Sequence, residues 1–136
     1  MTTKTLTGSC LCGGVRYTVH GEPRQLYHCH CSRCRKATGT GHVSNLVVAG
    51  TLTWDAGENL IRRYKVPEAE RFTNVFCVEC GGRVPRLSPQ GDSVNIPAGS
   101  LDTDPGVSAG ARLFMGSRAS WSCHGDSVPA YDELAG

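Results

Sequence analysis

Cys10-Leu11-Cys12-Gly13-Gly14 has an echo far along the chain, Cys77-Val78-Glu79-Cys80-Gly81-Gly82, and the pairing of these two stretches decides the fold. Each brings two sulfurs together. A Cys-x-Cys on an extended segment puts both side chains on one face, and a Cys-x-x-Cys turn gathers two in a tight loop. Both stretches then end in Gly-Gly. A chain turning round a metal needs positive φ and close backbone approach just after the second sulfur, which glycine supplies without steric cost. The two stretches therefore read as halves of one closed site, Cys10, Cys12, Cys77 and Cys80, pinning an N-terminal hairpin to a distant one. Four thiolates at this spacing suit a structural zinc. An iron–sulfur cluster is the other metal reading of a thiolate set, and disulfides or isolated core cysteines are the metal-free ones.

A third cluster, Cys29-His30-Cys31-Ser32-Arg33-Cys34, lacks the Gly-Gly, since Cys34 is followed by Arg35 and Lys36. Seven of the eight cysteines thus lie in the three clusters, one ligand short of two closed tetrahedral sites. A structural zinc takes four protein ligands, whereas a catalytic zinc takes three and keeps a position open. Cys29, Cys31 and Cys34 remain for a second, reactive metal. Three thiolates on Zn²⁺ leave a formal charge of about −1, which should acidify bound water poorly. The open position suits a soft incoming ligand such as another thiolate. Closure by His28 or His30, in the same loop, would instead make a second structural site, and spacing does not choose between the two. Arg33, Arg35 and Lys36 offer contacts for substrate carboxylates beside that metal, or form a solvated basic turn. Cys123 stands alone before His124; an unpaired cysteine is more often inert than reactive, and adjacency does not make a catalytic pair. His20 and His42 read as strand or surface residues.

At 136 residues the chain is most simply one domain, 1–136, able to bury a core of its own. A formal net charge of +2 with dispersed basic residues gives no reason to expect a nucleic-acid partner. The N-terminal residues carry no apolar core of an export signal, and no run approaches the length of a membrane span. The expectation is a cytoplasmic protein, where reducing conditions favour thiolates and metal over disulfides.

The remainder reads as short strands between turn residues. Val15, Tyr17 and Val19 alternate on one face of a strand over 14–20, and Gly21-Glu22-Pro23 should turn it. Further strands are expected at 25–29, 43–49, 60–66, 71–76, 84–87, 94–96 and 112–115, with a helical turn over 32–38 ended by Gly39. Pro85, Pro89 and Pro97 suit edges and turns. The class is all-β, in two small sheets.

Three longer stretches carry a family resemblance: Gly8–Tyr17 with its Cys-Leu-Cys-Gly-Gly, His28–Gly39 with its Cys-His-Cys-Ser-Arg-Cys, and Phe76–Gly82. Together they resemble the glutathione-dependent formaldehyde-activating enzyme family, and Gly99–Asp102 and Ser117–Trp121 are similar to its C-terminal signatures. The likeness covers about Thr7 to Glu133. It implies a compact zinc-pinned "β-tent" of short antiparallel sheets. It implies a structural zinc on Cys10, Cys12, Cys77 and Cys80, and a second, reactive zinc on Cys29, Cys31 and Cys34. The implied activity is that of a carbon–sulfur lyase, the reversible addition of glutathione or a similar small thiol to formaldehyde or another small aldehyde. Arg33 and Lys36 are then candidates for the substrate carboxylates. The alternative is a non-catalytic, zinc-stabilised interaction module, which a four-ligand second site would favour.

Overall fold

The computed structural model describes residues 2–122 and 128–135. Cys123 and His124 lie outside the described residues. The chain is mostly strand, as the sequence predicts. β1 (Lys4–Ser9), a strand beyond those expected from the sequence, pairs antiparallel with β2 (Arg16–Cys29), and β2 pairs antiparallel with β3 (Val43–Ala56). β4 (Ile61–Lys65) and β5 (Thr73–Cys77) form a separate two-stranded hairpin. β6 (Arg86–Leu87) and β7 (Ser93–Pro97) extend the main sheet, whose order is β1-β2-β3-β7-β6. β8 (Ala111–Leu113) runs parallel to the end of β2, pairing with Tyr27, His28 and Cys29. The one α-helix among the described residues, α1, spans Ser32–Thr38 as expected.

The expected turn at Gly21-Glu22-Pro23 is instead a passage through one long strand. Gly21 pairs with Gly50, and a Cβ on either would fall 2.3 Å or less from a backbone carbonyl oxygen of the other strand. The glycines let β2 and β3 pass in close contact, and the register slips between Arg16 and Tyr17 and again between Pro23 and Gln25. Local composition announced a turn; pairing along β3 overrides it.

Alternation sets the main core. Tyr17 and Val19 are wholly buried and pack with Leu6, Leu46, Val48, Val94 and Ile96. Tyr17 carries a polar tip into this core, and its hydroxyl hydrogen-bonds Ser100 Oγ at 2.6 Å. A second cluster, Cys10, Val15, Val75, Cys77 and Val84, joins the β4–β5 hairpin to the sheet, and Trp54 packs against both. A third, smaller cluster of Cys29, Cys34 and Val43 lies where β2 runs into α1.

Candidate metal centres and the cavity beside them

The first and third cysteine stretches meet as the sequence predicts. Cys10, Cys12, Cys77 and Cys80 bring their sulfurs within 4.8 Å of one another, a group that could hold a metal ion. Cys10 and Cys12 sulfurs are 3.6 Å apart, and Cys12 and Cys77 sulfurs 3.9 Å. A tetrahedron with metal–sulfur bonds of about 2.3 Å has edges of about 3.8 Å, so the spacing suits a four-thiolate ion. Gly13 and Gly81 both take the left-handed φ that the turns require, 77° and 76°.

The backbone is arranged for charged sulfur. The N–H groups of Val15, Gly14 and Gly82 donate to Cys10, Cys12 and Cys80 at 3.3, 3.4 and 3.4 Å. Hydrogen bonds from the Cys12 and Gly82 backbones draw the Cys80 thiol down to about 6. Gly14 also pulls on Cys12, but Cys10, some loss of solvation, Cys80 and Cys77 together push it up to about 11. As bare thiols the four compete, because like charges in one site disfavour each other. A divalent cation removes that conflict.

The middle cluster has a different setting. Cys29 ends β2, Cys31 is the residue preceding α1, and Cys34 lies within that helix. Their three sulfurs also lie within 4.8 Å of one another. Cys31 Sγ accepts the Cys34 N–H at 3.3 Å, capping the helix. Burial acts to raise Cys31, but the Cys34 backbone and the Cys34 and Cys29 thiols outweigh it and hold it below its ordinary value. Cys34 is pushed up by burial and by its two neighbours, and Cys29 chiefly by burial.

No histidine joins this cluster among the described residues. Strand alternation sends Cys29 to one face and His28 and His30 to the other. There they meet His42, whose ring centroid lies 4.4 Å from that of His28 and 4.9 Å from that of His30. His28 Nδ1 pairs with Ser44 Oγ at 3.0 Å. Burial, with nearby His28, Arg112 and Arg118, lowers the pKa of His30. His20, exposed on β2, instead meets Thr5 through its Nδ1. Closure by His28 or His30 therefore finds no support in the geometry, and the described residues offer the middle site three ligands.

Those ligands open on a cavity of about 490 Å³, within the usual 300–1,000 Å³ of small-molecule sites. Three arginines line it, Arg33, Arg83 and Arg86, with no carboxylate among the lining residues. Arg33, a candidate substrate contact from the sequence, is among them. Lys36 is not on this cavity; it lines an adjoining groove. Arg35 is not among the lining residues; it donates to the carbonyl of Ser117, which is. Arg83 is the most constrained of the three: its Nε donates to Asn74 Oδ1 at 2.8 Å. Burial lowers its pKa, and the nearby Cys34 partly offsets this. The one ion pair among the described residues is Arg24–Glu22, so the cationic cavity is not neutralised by the protein itself. Tyr27 also lines it, and Asn95 Nδ2 donates to the Tyr27 hydroxyl at 3.4 Å.

Arg83, Arg86 and Tyr27 were not legible as site residues. Arg83 follows the Gly-Gly of the four-sulfur site and Tyr27 reads as one more strand residue. Tyr27 shares a face of β2 with Cys29, two residues on, and tertiary packing brings Arg83 and Arg86 beside the middle cluster.

A small all-β chain with a four-sulfur and a three-sulfur cluster, the second beside a cationic cavity, is a candidate metalloprotein with one closed and one accessible site. Residues 5–117 match the model of the family described as "Glutathione-dependent formaldehyde-activating enzyme", and the chain belongs to that family. It is 29% identical over 127 residues to a Halomonas elongata protein provisionally named as such an enzyme; the alignment spans 85% of this chain and 78% of that one. A crystal structure of a Rhodobacter sphaeroides protein aligns with a TM-score of 0.49 at 19% identity, covering 79% of this chain and 98% of the other.

Proposed function

We propose that the protein catalyses the reversible addition of glutathione, or a closely similar anionic thiol, to a small aldehyde, as a zinc-dependent carbon–sulfur lyase-type enzyme. Cys10, Cys12, Cys77 and Cys80 would hold a structural zinc, and Cys29, Cys31 and Cys34 a reactive one. Bound there, zinc would supply an open, soft-accepting position that lowers the pKa of a substrate thiol and fixes its sulfur. The observation carrying the reading is the three-sulfur cluster with no fourth ligand among the described residues, facing a cavity with three arginines.

The rest is work for the chain's own side chains. Glutathione has two carboxylates, and Arg33, Arg83 and Arg86 provide more than enough positive charge to receive both. Arg83 is the principal anchor, because a half-buried guanidinium without a carboxylate partner gains most from an incoming one. Tyr27 is placed to serve the aldehyde oxygen. Its hydroxyl accepts from Asn95, which leaves the O–H free to donate. As sulfur adds to the carbonyl carbon, negative charge develops on that oxygen, and a proton from Tyr27 quenches it. Reversal returns the proton to the phenolate as the carbon–sulfur bond breaks.

The test is the rate of exchange between free formaldehyde and its glutathione adduct, measured by magnetisation-transfer NMR with and without zinc-loaded protein. Faster exchange, abolished by Cys31→Ser, supports the reading. Exchange at the uncatalysed rate, with no thiol perturbing the second metal, would leave the non-catalytic module in its place.

A further inference from the structure

The cavity at the three-cysteine cluster does not stop at its arginines. Along α1 it adjoins a groove of about 390 Å³ formed between that helix and the β4–β5 hairpin. Ser32, Arg33 and Phe72 line both spaces, so the two share a border. Beyond it the groove is bounded by Ala37, Tyr64 and Val66, with Lys36 and Asn74 at its polar edge. Most of its surface is apolar, in contrast to the cationic cavity.

Neither formaldehyde nor glutathione explains this groove. Formaldehyde has a single carbon, and glutathione has carboxylates, an amine and amides but no apolar side chain. We propose that the groove is the subsite for an apolar chain on the aldehyde, so that the preferred partner of the thiol is a longer aliphatic aldehyde. The inference rests on the thiol-addition reading above and narrows it. The continuity through Phe72 carries it: a carbonyl carbon beside the cysteines has a direct apolar path for its substituent along α1. The chemistry balances without any further reactant. The thiol gives up its proton to solvent, the sulfur lone pair forms the carbon–sulfur bond, the carbonyl π pair moves to oxygen, oxygen takes the Tyr27 proton, and solvent reprotonates the Tyr27 phenolate. Glutathione plus aldehyde gives one hemithioacetal.

A buried methylene contributes about 0.8 kcal/mol, close to fourfold in affinity. Tyr64 is more than half exposed, so the groove is partly open and each carbon should give roughly two- to fourfold. The experiment compares formaldehyde, acetaldehyde, propanal, butanal and hexanal with glutathione, each against its own uncatalysed rate. KM should fall stepwise to butanal, by roughly tenfold or more in all. Ala37→Trp, which fills the groove from the helix side, should leave formaldehyde kinetics within about twofold and flatten the series. Hexanol, an unreactive probe, provides the readout that needs no catalysis: it should shift the Tyr64, Val66 and Phe72 side-chain resonances of the wild-type protein, where methanol does not. Turnover of formaldehyde with a flat series and no hexanol shifts would overturn the groove assignment and leave the thiol chemistry standing. If no aldehyde is turned over and no thiol reaches the metal, the enzymatic reading falls and this subsite falls with it.

Discussion

Cys77 and Cys31 differ in what surrounds their sulfurs. Cys77 is wholly buried, between Val15, Val75 and Val84, in the packing that ties the β4–β5 hairpin to the main sheet. Cys31 is partly exposed, caps the start of α1 and borders a cavity. One cluster draws its ligands from segments far apart in sequence, and the other takes all three from six consecutive residues, Cys29–Cys34, running from the end of β2 into α1. A metal on the first therefore closes a long loop, whereas a metal on the second fixes only local geometry. Both are built of cysteines whose sulfurs lie within 4.8 Å of one another. What separates the two clusters is the number of ligands, the sequence distance they span and the space left beside them.

The largest effect should follow from breaking the first cluster. Cys77→Ser removes a buried ligand from a site whose metal binding is coupled to folding, a linkage of order 10 kcal/mol in small zinc domains. Insoluble protein, or a loosened fold that has lost a metal, is the expected outcome, read by metal quantification and near-ultraviolet circular dichroism. A variant that melts like the wild type with its full metal complement would undo the assignment.

Cys31→Ser probes the other side of the contrast. It should cost one metal and all catalysis of thiol addition while the thermal midpoint changes by only a few degrees, because the ligands of this site are already neighbours in sequence. If it collapses as Cys77→Ser does, the two clusters are both structural.

Two substitutions in the cavity sharpen the picture without touching a sulfur. Tyr27→Phe should reduce kcat by about 10²-fold or more, as loss of a general acid does, with the KM for glutathione little changed. Arg83→Gln should act mainly on that KM, raising it roughly tenfold or more, in line with about 1.5–3 kcal/mol for a charge-assisted hydrogen bond. Steady-state kinetics at saturating and limiting thiol separate them. If the two variants show the same pattern, the division between a proton donor and a carboxylate anchor fails.

Much of this contrast could be read from residue order. The Gly-Gly after Cys12 and after Cys80 marked two turns of one site because φ near 77° is a backbone requirement that few residue types meet. Alternation at Val15, Tyr17 and Val19 showed one face of β2 correctly because the strand period is fixed by the pleat. The helix over Ser32–Thr38 was likewise local, set by Gly39 beyond it. The misses came from distant partners. Gly21-Glu22-Pro23 has the composition of a turn, and only the facing Gly50 on β3 turns it into a crossing. Expected strand ends at 49 and 71 moved because pairing, not propensity, sets them. Arg83 and Arg86 reach the cavity through tertiary packing, which no spacing within their own segments encodes, whereas Tyr27, two residues before Cys29 on β2, shares its face by strand alternation. The histidines of the middle cluster illustrate the same limit: their proximity in sequence suggested ligands, and strand alternation carried them to the opposite face.

The central claim is that the three-cysteine site has room for a thiolate and the four-cysteine site has none. Replacing both metals with cobalt makes each ligand set visible, since thiolate coordination dominates the visible and near-ultraviolet bands. Titration with glutathione should change only the part of the spectrum that is missing in Cys31→Ser, and should saturate at one thiol per protein. A spectrum indifferent to glutathione and to other small thiols, or one whose change persists in Cys31→Ser, would contradict the claim.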